Sequence, residues 1–206
     1  MPNNREQMQA LVQDPVLREA NRAAKRYAWI DQACITQRPA VVVLQAPEAS
    51  GLQWQGLVNT LGEHYKVSGP ALLFNSGEDE QLRHLQHTLA RVLTANESFH
   101  LVGQGTSVAA ALRLACAEPA RILSMTLCDP YLLPARDLLP LAHHLVRAPV
   151  RLLALVGESE ASSATMAALA LTFPGACVLK AANQDELNQE IFHFVSDVQE
   201  QSSAPR

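Results

Sequence analysis

The chain has 206 residues, 48 % of them hydrophobic and 17 % charged, with a formal net charge of −4. Domains run to about 100–200 residues, so the length suits one domain whose core needs no disulfide staple. The composition excludes a disordered chain, and the acidic balance gives no electrostatic ground for a nucleic-acid partner.

Residues 1–25 read as a polar helical extension around Met8, Leu11, Val12, Val16 and Leu17, broken near Pro15. With no apolar core in this stretch, a secretory leader is not expected. Residues 26–38 alternate like an antiparallel hairpin. Ala40 to Leu44 (AVVVL) is uniformly apolar and mostly β-branched, the pattern of a strand buried on both faces. Trp54, Leu57, Val58 and Leu61 then recur at helical spacing.

A second strand is predicted over Ala71 to Phe74, and a helix over Glu78 to Ala95 with Leu82, Leu85, Leu89, Val92 and Leu93 as its stripe. Its opening acids, Glu78, Asp79 and Glu80, suit the positive end of a helix dipole. Strands follow at Phe99 to Val102, Ile122 to Leu127, Val150 to Val156 and Ala176 to Leu179. Helices are predicted at Ser107 to Ala117, Ser162 to Phe173 and Gln184 to Glu200, with a frayed tail over 201–206. Alternating strands and helices with short loops build a mostly parallel sheet of seven or eight strands, covered by helices on both faces. The domain body is residues 26–200.

From Phe99 to Pro130 the sequence reads FHLVGQGTSVAAALRLACAEPARILSMTLCDP. A strand, a tight glycine turn, a small-residue helix and a strand ending in Asp-Pro follow one another. This resembles the core of the α/β-hydrolase family, with its G-x-S-x-G nucleophile elbow. Pro39 to Val67, including Trp54, is similar to the family's strand, oxyanion loop and next helix. Ala148 to Val195 is similar to the segment that carries the acid and the histidine. The resemblance implies a single α/β-hydrolase-like domain, with the cap reduced to a minimal stretch over 131–147.

In that family a glycine turn lifts the nucleophile, nearby N–H groups hold the oxyanion, and a histidine oriented by an acid takes the proton. Laid onto this chain, the resemblance puts Gly103 first in the elbow, Gln104 next, Gly105 at the nucleophile position and Ser107 last. The oxyanion-loop His-Gly becomes Gln45-Ala46. The acid falls at Glu160, and the histidine position falls on Asn183 or Gln184. Glycine cannot form an acyl-enzyme, and neither amide accepts a proton. The resemblance thus implies a degenerate member that lacks the triad.

Other readings stay open. A register shift of two would bring Ser107 forward as nucleophile, although a serine in a first helical turn also suits a capping role. Asp129 offers an alternative acid or ligand contact, or a turn residue before Pro130. His143 and His144 fit a solvated face better than a metal site. Cys128 fits an inert core thiol better than a nucleophile. Three of the four cysteines (Cys34, Cys116, Cys128, Cys177) lie in apolar runs, and reduced buried thiols are expected. The turn Gly103-Gln104-Gly105 lacks the third glycine of a dinucleotide fingerprint.

The expectation is therefore a cytoplasmic protein with no cofactor, no metal site and no membrane span, since no apolar run nears the roughly 18 residues a span needs. Its first reading is non-catalytic binding or scaffolding, with residues 1–25 docking another protein or a second copy. Alternatively those residues cover the chain's own sheet edge. A second reading is a hydrolase or thioesterase working through Ser107 and Asp129. A third is a sensor holding a small apolar ligand above the strand ends.

Overall fold

The computed structural model describes residues 38–44, 51–72, 77–129, 140–141, 143–146, 150–156, 167–168, 171–173 and 176–203. The extension over 1–25, the hairpin expected over 26–38 (save its last residue) and most of the cap stretch lie outside them.

The elements in chain order are β1 (Ala40–Leu44), α1 (Gly51–Gly62), β2 (Lys66–Ser68), α2 (Glu78–Val92), β3 (Phe99–Gln104) and α3 (Ser107–Ala117), then β4 (Ile122–Cys128), β5 (Arg151–Val156), β6 (Cys177–Lys180) and α4 (Gln184–Ser203). The six strands among the described residues form one sheet in the order β2-β1-β3-β4-β5-β6, and every pairing between them is parallel. The inner strands therefore have to present apolar side chains to both faces. β1 does so most plainly, since all five of its residues are fully buried.

Two hydrophobic clusters result, one on each face. Val41, Val43, Val102, Cys128, Leu153 and Leu155 pack with Trp54, Leu57 and Leu61 of α1 and with Leu187, Ile191 and Val195 of α4. On the other face Ala40, Val42, Leu44, Leu101 and Leu127 pack with Leu85 and Leu89 of α2 and with Ala111, Leu112 and Ala115 of α3. The strand order reverses between β1 and β3, and in open α/β sheets ligands bind outside the carboxyl ends at such a switch point. The turn after β3 lies there.

The second strand differs from its expected place. Pairing with β1 occurs at Lys66 to Ser68, opposite Ala40 to Val42, while Ala71 and Leu72 are outside any strand and Leu73 and Phe74 lie outside the described residues. β2 is the last strand on this side of the described sheet, and Pro70, with no N–H to donate, comes just after it, past Gly69. Val67 and Ser68 are nonetheless buried, which a run containing lysine and serine does not advertise. The closing helix runs to Ser203 and takes in the first half of the expected tail.

Candidate functional site

β3 ends at Gln104 and α3 begins at Ser107, so two residues turn the chain from strand to helix. Gly105 takes φ 57° in that turn. That left-handed conformation costs a residue with a side chain but not glycine. Its N–H donates to the Cys128 carbonyl at 2.9 Å, which ties the turn to the end of β4. Gly103, at the first elbow position, is needed for contact: a Cβ there would lie 3.0 Å from the Ala111 Cβ. The absence of a side chain at Gly103 lets α3 sit close on β3.

Ser107 is fully buried. Its hydroxyl donates to the Leu44 carbonyl at 2.7 Å, with the Gln104 carbonyl at 2.8 Å as a second acceptor in reach. It also accepts the Gln104 N–H at 2.8 Å. One hydroxyl thus binds the ends of β1 and β3 to the start of α3, beneath the turn and within the body. Its proton is committed to backbone carbonyls, and no side-chain base adjoins it in these bonds.

Asp129 follows β4 with φ 42°, the one non-glycine residue at positive φ among the described residues. Its N–H donates to the Leu155 carbonyl at 3.1 Å, so it caps the strand end next to the one that holds Gly105. Cys128, just before it, is fully buried. Burial pushes its thiol far above the ordinary range, and the neighbouring Asp129 charge adds to the shift. A thiol held protonated is a poor nucleophile.

Asn183 occupies the entrance to α4. Its Oδ1 accepts the Glu186 N–H at 2.9 Å and its carbonyl accepts the Leu187 N–H at 3.1 Å. The Glu186 carboxylate in turn accepts the Ala182 N–H at 2.6 Å. This is a capping arrangement, with side chains satisfying the free N–H groups of a helix start. Gln184 is occupied with Asn188, through a 3.0 Å bond. Gln45, Ala46 and Glu160 lie outside the described residues.

His100 is close to the elbow in sequence but far from it in space. It pairs with Val41 and Ser124 at the other end of β3, four residues or about 13 Å below Gln104 at strand rise. The ring is fully buried. Nε2 faces the Gln199 amide oxygen at 3.1 Å and Nδ1 faces Ser124 Oγ at 2.8 Å. With an amide oxygen before it, Nε2 donates and Nδ1 accepts from the serine. Burial pulls its pKa down, against a smaller raising effect from the Gln199 bond. His100 therefore serves as a neutral link between α4 and the sheet.

The remaining candidates are dispersed. His143 and His144 are exposed, and no group of three potential metal ligands occurs among the described residues. The cysteine expectation needs correction at two positions, because Cys116 is half-buried and Cys177 exposed. β6 is the last strand of the described sheet, with exposed residues on both of its faces, and an edge strand gives a thiol little cover. No described helix is long and apolar enough to cross a membrane. Sequence reasoning gave no weight to the partners that hold the site together: the Leu44 carbonyl, Ser124 and Gln199. Only Asn183 carried a usable signal, the Asn-x-x-Glu spacing of a capping box.

No protein-family model matches the chain, and no curated protein matches it. Solved structures do. A loop variant of a haloalkane dehalogenase from Bradyrhizobium elkanii is 12 % identical with a TM-score of 0.62, covering 82 % of this chain and 92 % of that one. A carboxylesterase from Bacillus subtilis is 13 % identical at 0.62, covering 79 % and 85 %. An enol-lactonase from Burkholderia xenovorans LB400 is 14 % identical at 0.59, covering 82 % and 92 %. At such identities the likeness concerns the backbone. The parallel sheet and its helical layers agree with it: the chain has the α/β-hydrolase fold.

Proposed function

We propose that this chain is a non-catalytic binding or scaffolding protein that retains the hydrolase scaffold without its chemistry. The observation that carries this reading is Gly105 at φ 57° on the apex of the strand-to-helix turn, the place where the fold presents a nucleophile. Two further observations support it. The Ser107 hydroxyl is fully buried and engaged by backbone groups, and Asn183 is engaged in capping a helix. A proton relay needs a nucleophile, a base and an orienting acid within reach of one another.

Residues 1–25 are the proposed docking arm for another protein or a second copy. Deleting them and repeating size-exclusion chromatography and pull-down tests this: loss of assembly is expected, and unchanged assembly refutes the arm. Non-catalysis is tested separately with activated acyl esters, where no burst of released alcohol above the buffer rate is expected. The alternative, a hydrolase working through Ser107 and Asp129, requires a burst that Ser107→Ala abolishes.

A further inference from the structure

Among the described residues, three buried side-chain polar atoms have no hydrogen-bond partner: Trp54 Nε1, Gln104 Oε1 and Thr126 Oγ1. An unpaired buried polar atom keeps the full penalty of lost hydration, so each one in a native protein calls for an explanation. Their placement is not scattered. Alternation along β3 puts Gln104 on the face of Val102, and alternation along β4 puts Thr126 on the face of Cys128. Val102 and Cys128 belong to the cluster that contains Trp54.

The register tightens this. Val102 lies opposite Thr126, and Gln104 opposite Cys128. Leu153, the neighbour of Thr126 on β5, is in the same cluster. Trp54 sits in the first turn of α1, which starts soon after the carboxyl end of β1 and so begins at the level of the elbow. All three atoms therefore occupy one face of the sheet, beneath the switch point.

We propose that they converge on a buried water site under the elbow. The chemistry is complementary: the indole N–H can only donate, the amide oxygen can only accept, and the hydroxyl can do either. A guest that accepts from Trp54 and donates to Gln104 and Thr126 satisfies all three, and about three bonds is the usual complement of a buried water. The surroundings set the size. Thr126 is fully buried and Trp54 is 1 % exposed, which suits a guest the size of a single water. The site fastens α1 to β3 and β4 directly below Gly105. It is independent of whether the chain is an enzyme, and its failure would leave the functional reading untouched.

The test uses the full chain in solution. Cross-relaxation between solvent water and the Trp54 indole Hε1 is measured, with Trp54→Phe distinguishing its signal from that of Trp29, the other tryptophan. The expected result is a cross-peak of the sign that marks a long-lived neighbouring water, together with a fall in Tm of about 2–4 °C in Thr126→Val, which removes one anchor at equal volume. If the wild-type cross-peak is missing, or if Thr126→Val melts at or above the wild type as removal of a truly unpaired hydroxyl would give, the site does not exist. Should Thr126→Val fail to fold, the wild-type cross-peak decides alone.

Discussion

The hydroxyl of Ser107 lies 2.7 Å from the carbonyl oxygen of Leu44, joining residues 63 positions apart. Ser107 Oγ also accepts the Gln104 N–H. What in other circumstances would be read as the serine of a displaced active site is here a clamp that closes β1, β3 and α3 on one another. Ser107→Ala leaves a buried carbonyl and a buried N–H without this partner, and a loss of about 1–3 kcal/mol is expected. Thermal or urea unfolding measures it. A variant as stable as the wild type would remove the clamp from the account.

Gly105 carries the turn by conformation. Gly105→Ala is expected to cost about 1–2 kcal/mol, the penalty of a side chain at left-handed φ. Gly105→Ser returns a hydroxyl to the apex yet should give no ester hydrolysis above buffer, because Asn183 is capping a helix and cannot take the proton. Steady turnover by Gly105→Ser would show that a base is already in place.

Asn183 holds the start of α4, and loss of such a cap costs about 1 kcal/mol. Asn183→Ala should therefore lower the denaturation midpoint, while Asn183→Asp, which keeps the accepting oxygen, should restore it. Equal stability of all three proteins would contradict the capping role.

His100 gives stability a pH dependence of known sign. Burial lowers its folded pKa, so the unfolded chain takes up a proton near pH 6.5 that the folded chain resists. Stability from this group is full above pH 6.5 and declines as the pH falls from there toward the lowered folded value. Among the described residues the imidazole meets Ser124, Gln199 and the ring of Tyr65, none of them an acid that would reverse the sign. Urea midpoints at pH 7.5 and 5.5 should drop for the wild type and drop less for His100→Gln. A wild-type midpoint that rises on acidification would contradict the assignment.

Periodicity was enough for much of the fold. The AVVVL run places β1, and the small-residue helix after the glycine turn matches the observed Ser107–Ala117 at both ends. β2 escaped because Lys66-Val67-Ser68 has no apolar run; its burial comes from neighbours that only the folded chain brings together. The tight turn after β3 was readable from its glycines, and Gly105 takes a positive φ within it. The contacts were not readable. The bonds of Ser107 to Leu44 and of His100 to Gln199 span 63 and 99 residues, and nothing local in either stretch encodes them.

The most direct measurement is intact-mass spectrometry of the full chain after saturating exposure to a fluorophosphonate, which phosphonylates activated serines. With a glycine at the apex and Ser107 buried beneath it, the mass should remain that of the unreacted protein. A stoichiometric adduct that maps to Ser107 and disappears in Ser107→Ala would contradict the account and identify a working hydrolase.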